Sequence, residues 1–146
     1  MRIASAFVLL TFTTGAFGQS AREMAASSGI QGGLVVHMGS GSGPFATDLL
    51  ANGSFVVHGL CDDQRETAEA REYIKQQDLY GKVSVQHWNN AYLPYTDNLV
   101  NLLVAEDLGD VPMEEVIRVL TPRGVAVVKS GETWKKTTKT NLVFLI

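Results

Sequence analysis

Cysteine is nearly absent from this chain: Cys61 is the only one in 146 residues. No disulfide can form within it, so the fold must hold through its core, and an oxidising compartment is neither required nor excluded. Excess charge is small as well. The formal net charge is -3, without the basic face of a nucleic-acid binder, so no nucleic-acid partner is expected. The apolar run at residues 3–12 is too short to span a bilayer as a stable helix. There is no internal repeat and no low-complexity segment. Short-spaced zinc ligands, an ordered Ser/His/Asp set, a phosphate-loop lysine and paired carboxylates are also missing. No resident metal is expected.

What is present is an ordinary globular composition, 45% hydrophobic and 18% charged, at a length that favours one domain. Residues 1–18 read as a secretory signal. Arg2 supplies the positive charge, an apolar stretch follows, and Ala16-Phe17-Gly18 offers small residues where a signal peptidase reads. A mature start near Gln19 and a secreted or periplasmic location follow from that reading. The rival is an uncleaved anchor or a buried first helix, which would leave the chain cytoplasmic.

Residues 19–33 are expected to hold a short helix and a linker. Residues 34–38 read as a central strand, apolar on both faces, and Pro44 suits the start of a helix. A second strand is expected over 54–60. Asp63 and Glu66 form a capping-box pattern for a helix running to about Gln77, with Ala68, Ala70, Tyr73 and Ile74 available for its inner face. A third strand is expected over 82–87, a polar and aromatic loop over 89–98, and a fourth strand over 99–105. Asp110 is the expected cap of a last helix with Glu114 and Glu115 in its first turn. Thr121-Pro122-Arg123-Gly124 reads as a turn, and 125–129 as a fifth strand. This alternation gives an α/β fold, a doubly wound parallel sheet over residues 34–130. Residues 131–146 read as a basic, solvated tail (Lys135, Lys136, Lys139) ending in an apolar segment.

The stretch Leu34-Val35-Val36-His37-Met38-Gly39-Ser40-Gly41-Ser42-Gly43 is a buried strand running into a glycine-rich turn. Such a turn holds a nucleoside-like ligand at the carboxyl end of a parallel strand. A dinucleotide fingerprint would need glycine or alanine at position 44, where this chain has Pro44. The turn, with Val57-His58-Gly59-Leu60-Cys61-Asp62, Leu93-Pro94-Tyr95-Thr96-Asp97-Asn98 and Arg118-Val119-Leu120-Thr121-Pro122-Arg123-Gly124, resembles class I S-adenosylmethionine-dependent methyltransferases over about residues 29–129. More closely, residues 79–85 and 97–102 look like the N-terminal domain of secreted bacterial proteins that join such a domain to a quinoprotein-type β-propeller. The resemblance implies a truncated Rossmann-like methyltransferase fold with strand order 3-2-1-4-5, lacking the closing hairpin. It implies S-adenosylmethionine as a small-molecule ligand, and a β-propeller as a possible partner outside this chain.

The cofactor positions implied are His37, Gly39, Ser40, Gly41, Gly43, Cys61, Asp62, Asn89, Asn90 and Glu106. The family usually has acidic residues at 37 and 61, and often at 89. Cys61 is a poor acceptor for ribose hydroxyls. Asp62 could swing in for it or simply face solvent. Asn89 could accept from an adenine amino group or be a turn residue. Glu106 and Asp107 could orient a nucleophile, act as a base, or lie in a solvated loop. Trp88, Tyr92 and Tyr95 could wall a ligand or cover the sheet edge. His37, Cys61 and His87 would stand near the carboxyl ends of adjacent strands, where a metal site is imaginable; without short ligand spacing, they read instead as isolated, partly buried strand residues. No catalytic residue is singled out. Two functions remain open: methyl transfer to an unknown acceptor, and a non-catalytic secreted binding or docking module.

Overall fold

A computed structural model of the chain describes residues 20–39, 43–50 and 54–140. The signal reading of residues 1–18 and the apolar end at 141–146 lie outside them.

Val and Leu on both faces of β1 (Gly33–Met38) and β4 (Val100–Ala105) make these the central strands. With β2 (Phe55–Cys61), β3 (Val83–His87), β5 (Leu120–Ser130) and β6 (Thr133–Thr138) they form one sheet in the order β3-β2-β1-β4-β5-β6. The first five strands are parallel, in the expected 3-2-1-4-5 order. β6 is the addition: it pairs antiparallel with β5 from Val125–Thr138 to Ser130–Thr133. Thr133–Thr138, within the stretch read as a solvated tail, is therefore a sheet edge, and β5 is covered. The turn at 121–124 is also reshaped. Val100 pairs with Leu120 and Leu102 with Val125, so these four residues bulge out opposite Asn101. Arg123 takes a φ of 64° within the bulge.

Side-chain alternation divides the core. Val35, Val57, Leu102 and Val104 face one way, toward α1 (Ala21–Ser27), α2 (Gly43–Asp48) and α3 (Gln64–Gln76). Val36, Leu60, Leu103 and Ala105 face the other way, toward α4 (Met113–Val119) and the 88–99 loop. α1 belongs to the core rather than to a linker: Ala21, Met24 and Ala25 are buried, and Ser20 and Glu23 form a reciprocal capping box. Asp63 caps α3 by accepting from the Arg65 and Glu66 amides. The inner face of α3 is Thr67, Ala70 and Ile74; Ala68 is exposed. α4 starts later than expected. Its N-cap is Pro112, with no side-chain cap bond, and Asp110 stands before it.

No helix covers the sheet between β3 and β4. The 88–99 loop does so instead, and its polar backbone needs partners. Arg118 of α4 supplies them. Its guanidinium donates to the carbonyls of Tyr95 (3.0 Å) and Leu93 (3.3 Å), to Asp97 Oδ1 (2.7 Å) and to both oxygens of Glu115 (2.5 and 2.8 Å). Glu115 is 7% exposed and accepts from the Leu93 amide at 2.9 Å. It is a buried clamp more than a dipole-facing surface acid. Farther along, Lys139 Nζ donates to Asn98 Oδ1 and to the Leu120 carbonyl.

The hydrogen bond from Arg118, backed by the Leu93 amide, holds the Glu115 carboxyl below its ordinary value of 4.5, against the opposing effect of burial. The ionised form is thus favoured by folding. Its contribution is complete above about pH 4.5 and is lost as pH falls through the lower folded-state value. Glu115→Gln should cost about 1 kcal/mol at pH 7, since Arg118 is partly open to solvent. Urea melts of both proteins from pH 7 to pH 3 check this: the difference should shrink as the acid range is entered.

Candidate functional site

β1, β2, β3 and β4 all end at one edge of the sheet, and a cleft of about 590 Å³ opens there. Parallel α/β sheets place ligands outside these carboxyl ends, where neighbouring crossovers diverge. The volume is that of a small-molecule site. Met38 and Gly39 bring β1 to the cleft; Leu60, Asp62, Asp63 and Glu66 bring β2 and the start of α3. Trp88, Asn89 and Asn90 follow β3, and residues 106–111 follow β4. Lys129 of β5 completes the rim.

The walls are acidic. Asp62, Asp63, Glu66, Glu106, Asp107 and Asp110 all border the cleft, with Lys129 as the only cation among the described lining residues. Lys129 Nζ also sits 6.0 Å from the Trp134 ring centroid. Such a surface favours a ligand carrying positive charge. Leu60, Leu108, Val111 and Trp88 add apolar surface. Trp88 is oriented by its indole N–H, which donates to the Tyr92 carbonyl at 2.8 Å, and Asn90 Oδ1 accepts from the Tyr92 amide at 3.2 Å.

Of the residues expected at a cofactor site, Gly39, Asp62, Asn89, Asn90 and Glu106 line this cleft. Ser40 and Gly41 lie outside the described residues. His37 stands behind the wall. It is 3% exposed, stacked on Phe45 with ring centroids 4.6 Å apart, and its Nε2 is 3.0 Å from Glu106 Oε1. Cys61 is set apart from the cleft: its thiol is buried in the α3 side of the core, 3.3 Å from the Asp63 carbonyl. Adjacent residues of a strand face opposite ways, so Leu60 reaches the cleft and Cys61 the core. Gly43 serves packing. A Cβ there would lie 2.8 Å from the Tyr73 ring, so glycine lets α2 sit against α3. Tyr92 is exposed. The Tyr95 hydroxyl is 2.6 Å from His58 Nδ1, and burial raises the Tyr95 pKa and lowers that of His58. No group of three or more His, Cys, Asp or Glu side chains among the described residues is arranged to hold a metal.

Sequence reasoning missed Lys129, read as the end of the fifth strand, and Asp110, read as a helix cap. The position of Lys129 at the end of a predicted strand was the usable signal. Glu115 was read only as an acid in the first turn of the last helix; its spacing of three from Arg118 on that helix was the clue to the pair.

No protein family matches the chain by sequence, and no curated protein does. Solved structures do. One is a Methanococcus maripaludis protein assigned as an S-adenosyl-L-methionine-dependent methyltransferase, at TM-score 0.66 and 20% identity, over 76% of this chain and 53% of that one. A second is the cyclase SpnF, at TM-score 0.65 and 23% identity, over 73% and 42%. A third is geranyl diphosphate C-methyltransferase from Streptomyces coelicolor A3(2), in complex with magnesium, geranyl diphosphate and S-adenosyl-L-homocysteine; its TM-score is 0.64 and its identity 17%, over 73% and 43%. The chain spans about half the length of these structures. At such identities the likeness establishes the fold: an α/β, Rossmann-like sheet of the kind found in S-adenosylmethionine-dependent methyltransferases. The cyclase in the same set shows that this fold also carries other chemistry.

Gly43→Ala should force Tyr73 or α2 to move and cost about 1–3 kcal/mol. Thermal unfolding of the variant checks this. An unchanged melting temperature would mean that α2 and α3 pack less tightly than described.

Proposed function

We propose that the cleft is an S-adenosylmethionine site and that the domain serves methyl transfer to an acceptor still to be identified. The observation that carries this reading is the acidic cleft at the carboxyl ends of β1 to β4, on a sheet shared with methyltransferases. S-adenosylmethionine has a net positive charge, and the six lining carboxylates against one lysine suit it. Asp62 is the available acceptor for ribose hydroxyls, one residue beyond the buried Cys61. Asn89 and Asn90 offer amide groups for an adenine edge, and Trp88 offers an apolar face. When bound, the cofactor supplies an activated methyl group on a sulfonium. The protein's share of such a reaction is mainly proximity and orientation. The strands fix the wall residues, Arg118 fixes the loop behind Trp88, and Leu108 and Val111 give part of the cleft an apolar lining.

A second reading is a non-catalytic secreted binding or docking module of a larger propeller-containing protein. Cys61 favours it, since the resemblance implies a ribose-binding acid at that position. Losing one charge-assisted hydrogen bond of this kind costs about 1.5–3 kcal/mol, roughly ten- to a hundredfold in affinity. The export reading of residues 1–18 points the same way, because an exported domain would be separated from a cytoplasmic methyl donor.

Calorimetric titration of the full chain with S-adenosylmethionine and S-adenosylhomocysteine tests both readings. Micromolar binding of both is the expected outcome. A folded protein that gives no heat up to millimolar ligand would remove the cofactor reading and leave the docking module.

A further inference from the structure

Glu106 is held in the cleft from both β1 and β4. Its amide donates to the Met38 carbonyl at 2.8 Å, which ties the end of β4 to the end of β1. Its side chain then lies over Gly39. A Cβ on Gly39 would come within 3.0 Å of Glu106 Cβ, and Gly39 has a φ of 151°. The missing side chain at 39 is therefore the space that Glu106 occupies. Below it, His37 is almost wholly buried, and Nε2 meets Oε1 at 3.0 Å. Phe45 stacks on the imidazole and fixes the ring plane. Burying a histidine costs free energy unless its polar atoms are matched. Here the match is a carboxylate that is 29% exposed and lines the cleft.

This arrangement does more than satisfy His37. The Nε2–H bond occupies Oε1 and restrains χ angles that a free glutamate would sample. Oε2 has no partner among the described residues and is left for a donor arriving from the cleft. A restrained carboxylate at a site favouring positive charge suits an ammonium group: a charge-assisted hydrogen bond with its ordering cost already met. Resting on the cofactor reading, we infer that Glu106 receives the α-ammonium of the cofactor's amino-acid arm, and that His37 is the positioning residue that holds Glu106 for it. The acid is thus delivered from β4 and braced by a histidine on β1. His37 itself touches no ligand.

The test compares three ligands by calorimetry on the full chain. S-adenosylmethionine carries both ammonium and sulfonium, S-adenosylhomocysteine only the ammonium, and methylthioadenosine neither. Glu106→Gln should weaken the first two by roughly ten- to a hundredfold and leave methylthioadenosine unchanged. His37→Leu should reproduce that pattern more weakly, and His37→Gln, which keeps an N–H donor, should restore part of the loss. Weakening of S-adenosylmethionine alone would assign Glu106 to the sulfonium and overturn the inference. Equal weakening of all three would make the pair structural and overturn it too. If wild-type protein bound methylthioadenosine but neither longer ligand, the nucleoside reading would survive and the ammonium site would not. If it bound none of the three, the cofactor reading would fall and this inference with it.

Discussion

Arg118 is the constraint on which the site side of this molecule depends. A connection from β3 to β4 with no helix leaves a run of peptide groups over an apolar sheet face, and each needs a partner. One planar guanidinium answers several at once: the carbonyls of Leu93 and Tyr95, and the carboxylates of Asp97 and Glu115. Lysine could not replace it, because its point charge has no fork to span two carbonyls and a carboxylate together. Glu115 completes the unit by neutralising Arg118 and accepting from Leu93. Leu93 is thereby pressed into the core beside Val116 and Val111. The loop that begins at Trp88 leaves β3 in one direction, and the cleft gains a fixed third wall.

The sheet imposes the other constraint. Its alternation decides which chemistry reaches the cleft and which is lost to the core. Leu60 and Cys61 are neighbours, yet only Leu60 borders the cleft. The opposite edge shows a related economy. β6 has lysines at 135 and 136 and threonines at 133, 137 and 138, with Trp134 packing inward. Charged side chains on an edge strand discourage pairing with a further strand. Lys136 has a second use, donating to the carbonyl of Ser27 at the end of α1. A basic stretch thus becomes a covering strand that also satisfies a helix terminus.

How much of this the sequence displayed depended on burial. β1 and β4 are buried on both faces, so their apolar runs were plain, and the parallel order followed from the alternation of elements with the resemblance. β6 was hidden because most of it is exposed: no period-2 hydrophobic pattern exists where only Trp134 and Thr137 are partly covered. Its threonines were the signal, and β propensity alone is weak. Asp110 resembled a helix cap by type and position, but Pro112 takes the cap position with its fixed φ, and α4 begins at Met113. Among the site residues, the positions at strand ends were legible because topology places them. The facing of Cys61, and the bond between His37 and Glu106 across 69 positions of sequence, were not. Neither follows from local spacing; both are set by register.

Charge narrows what such a cleft can accept. Glycine turns at the end of a first parallel strand serve many nucleotides, and most of those carry phosphates. Here the residues around the turn oppose a phosphate. Asp62, Asp63 and Glu66 stand on the β2 side and Glu106, Asp107 and Asp110 on the β4 side, with Lys129 alone against them among the described lining residues. A pyrophosphate placed between them would meet like charge on both flanks. Pro44 argues in the same direction from backbone geometry, since a dinucleotide turn needs a small residue there. A nucleoside bearing a cationic arm meets neither obstacle. The fold admits many ligands, and under the cofactor reading the carboxylates at its strand ends make the choice among them.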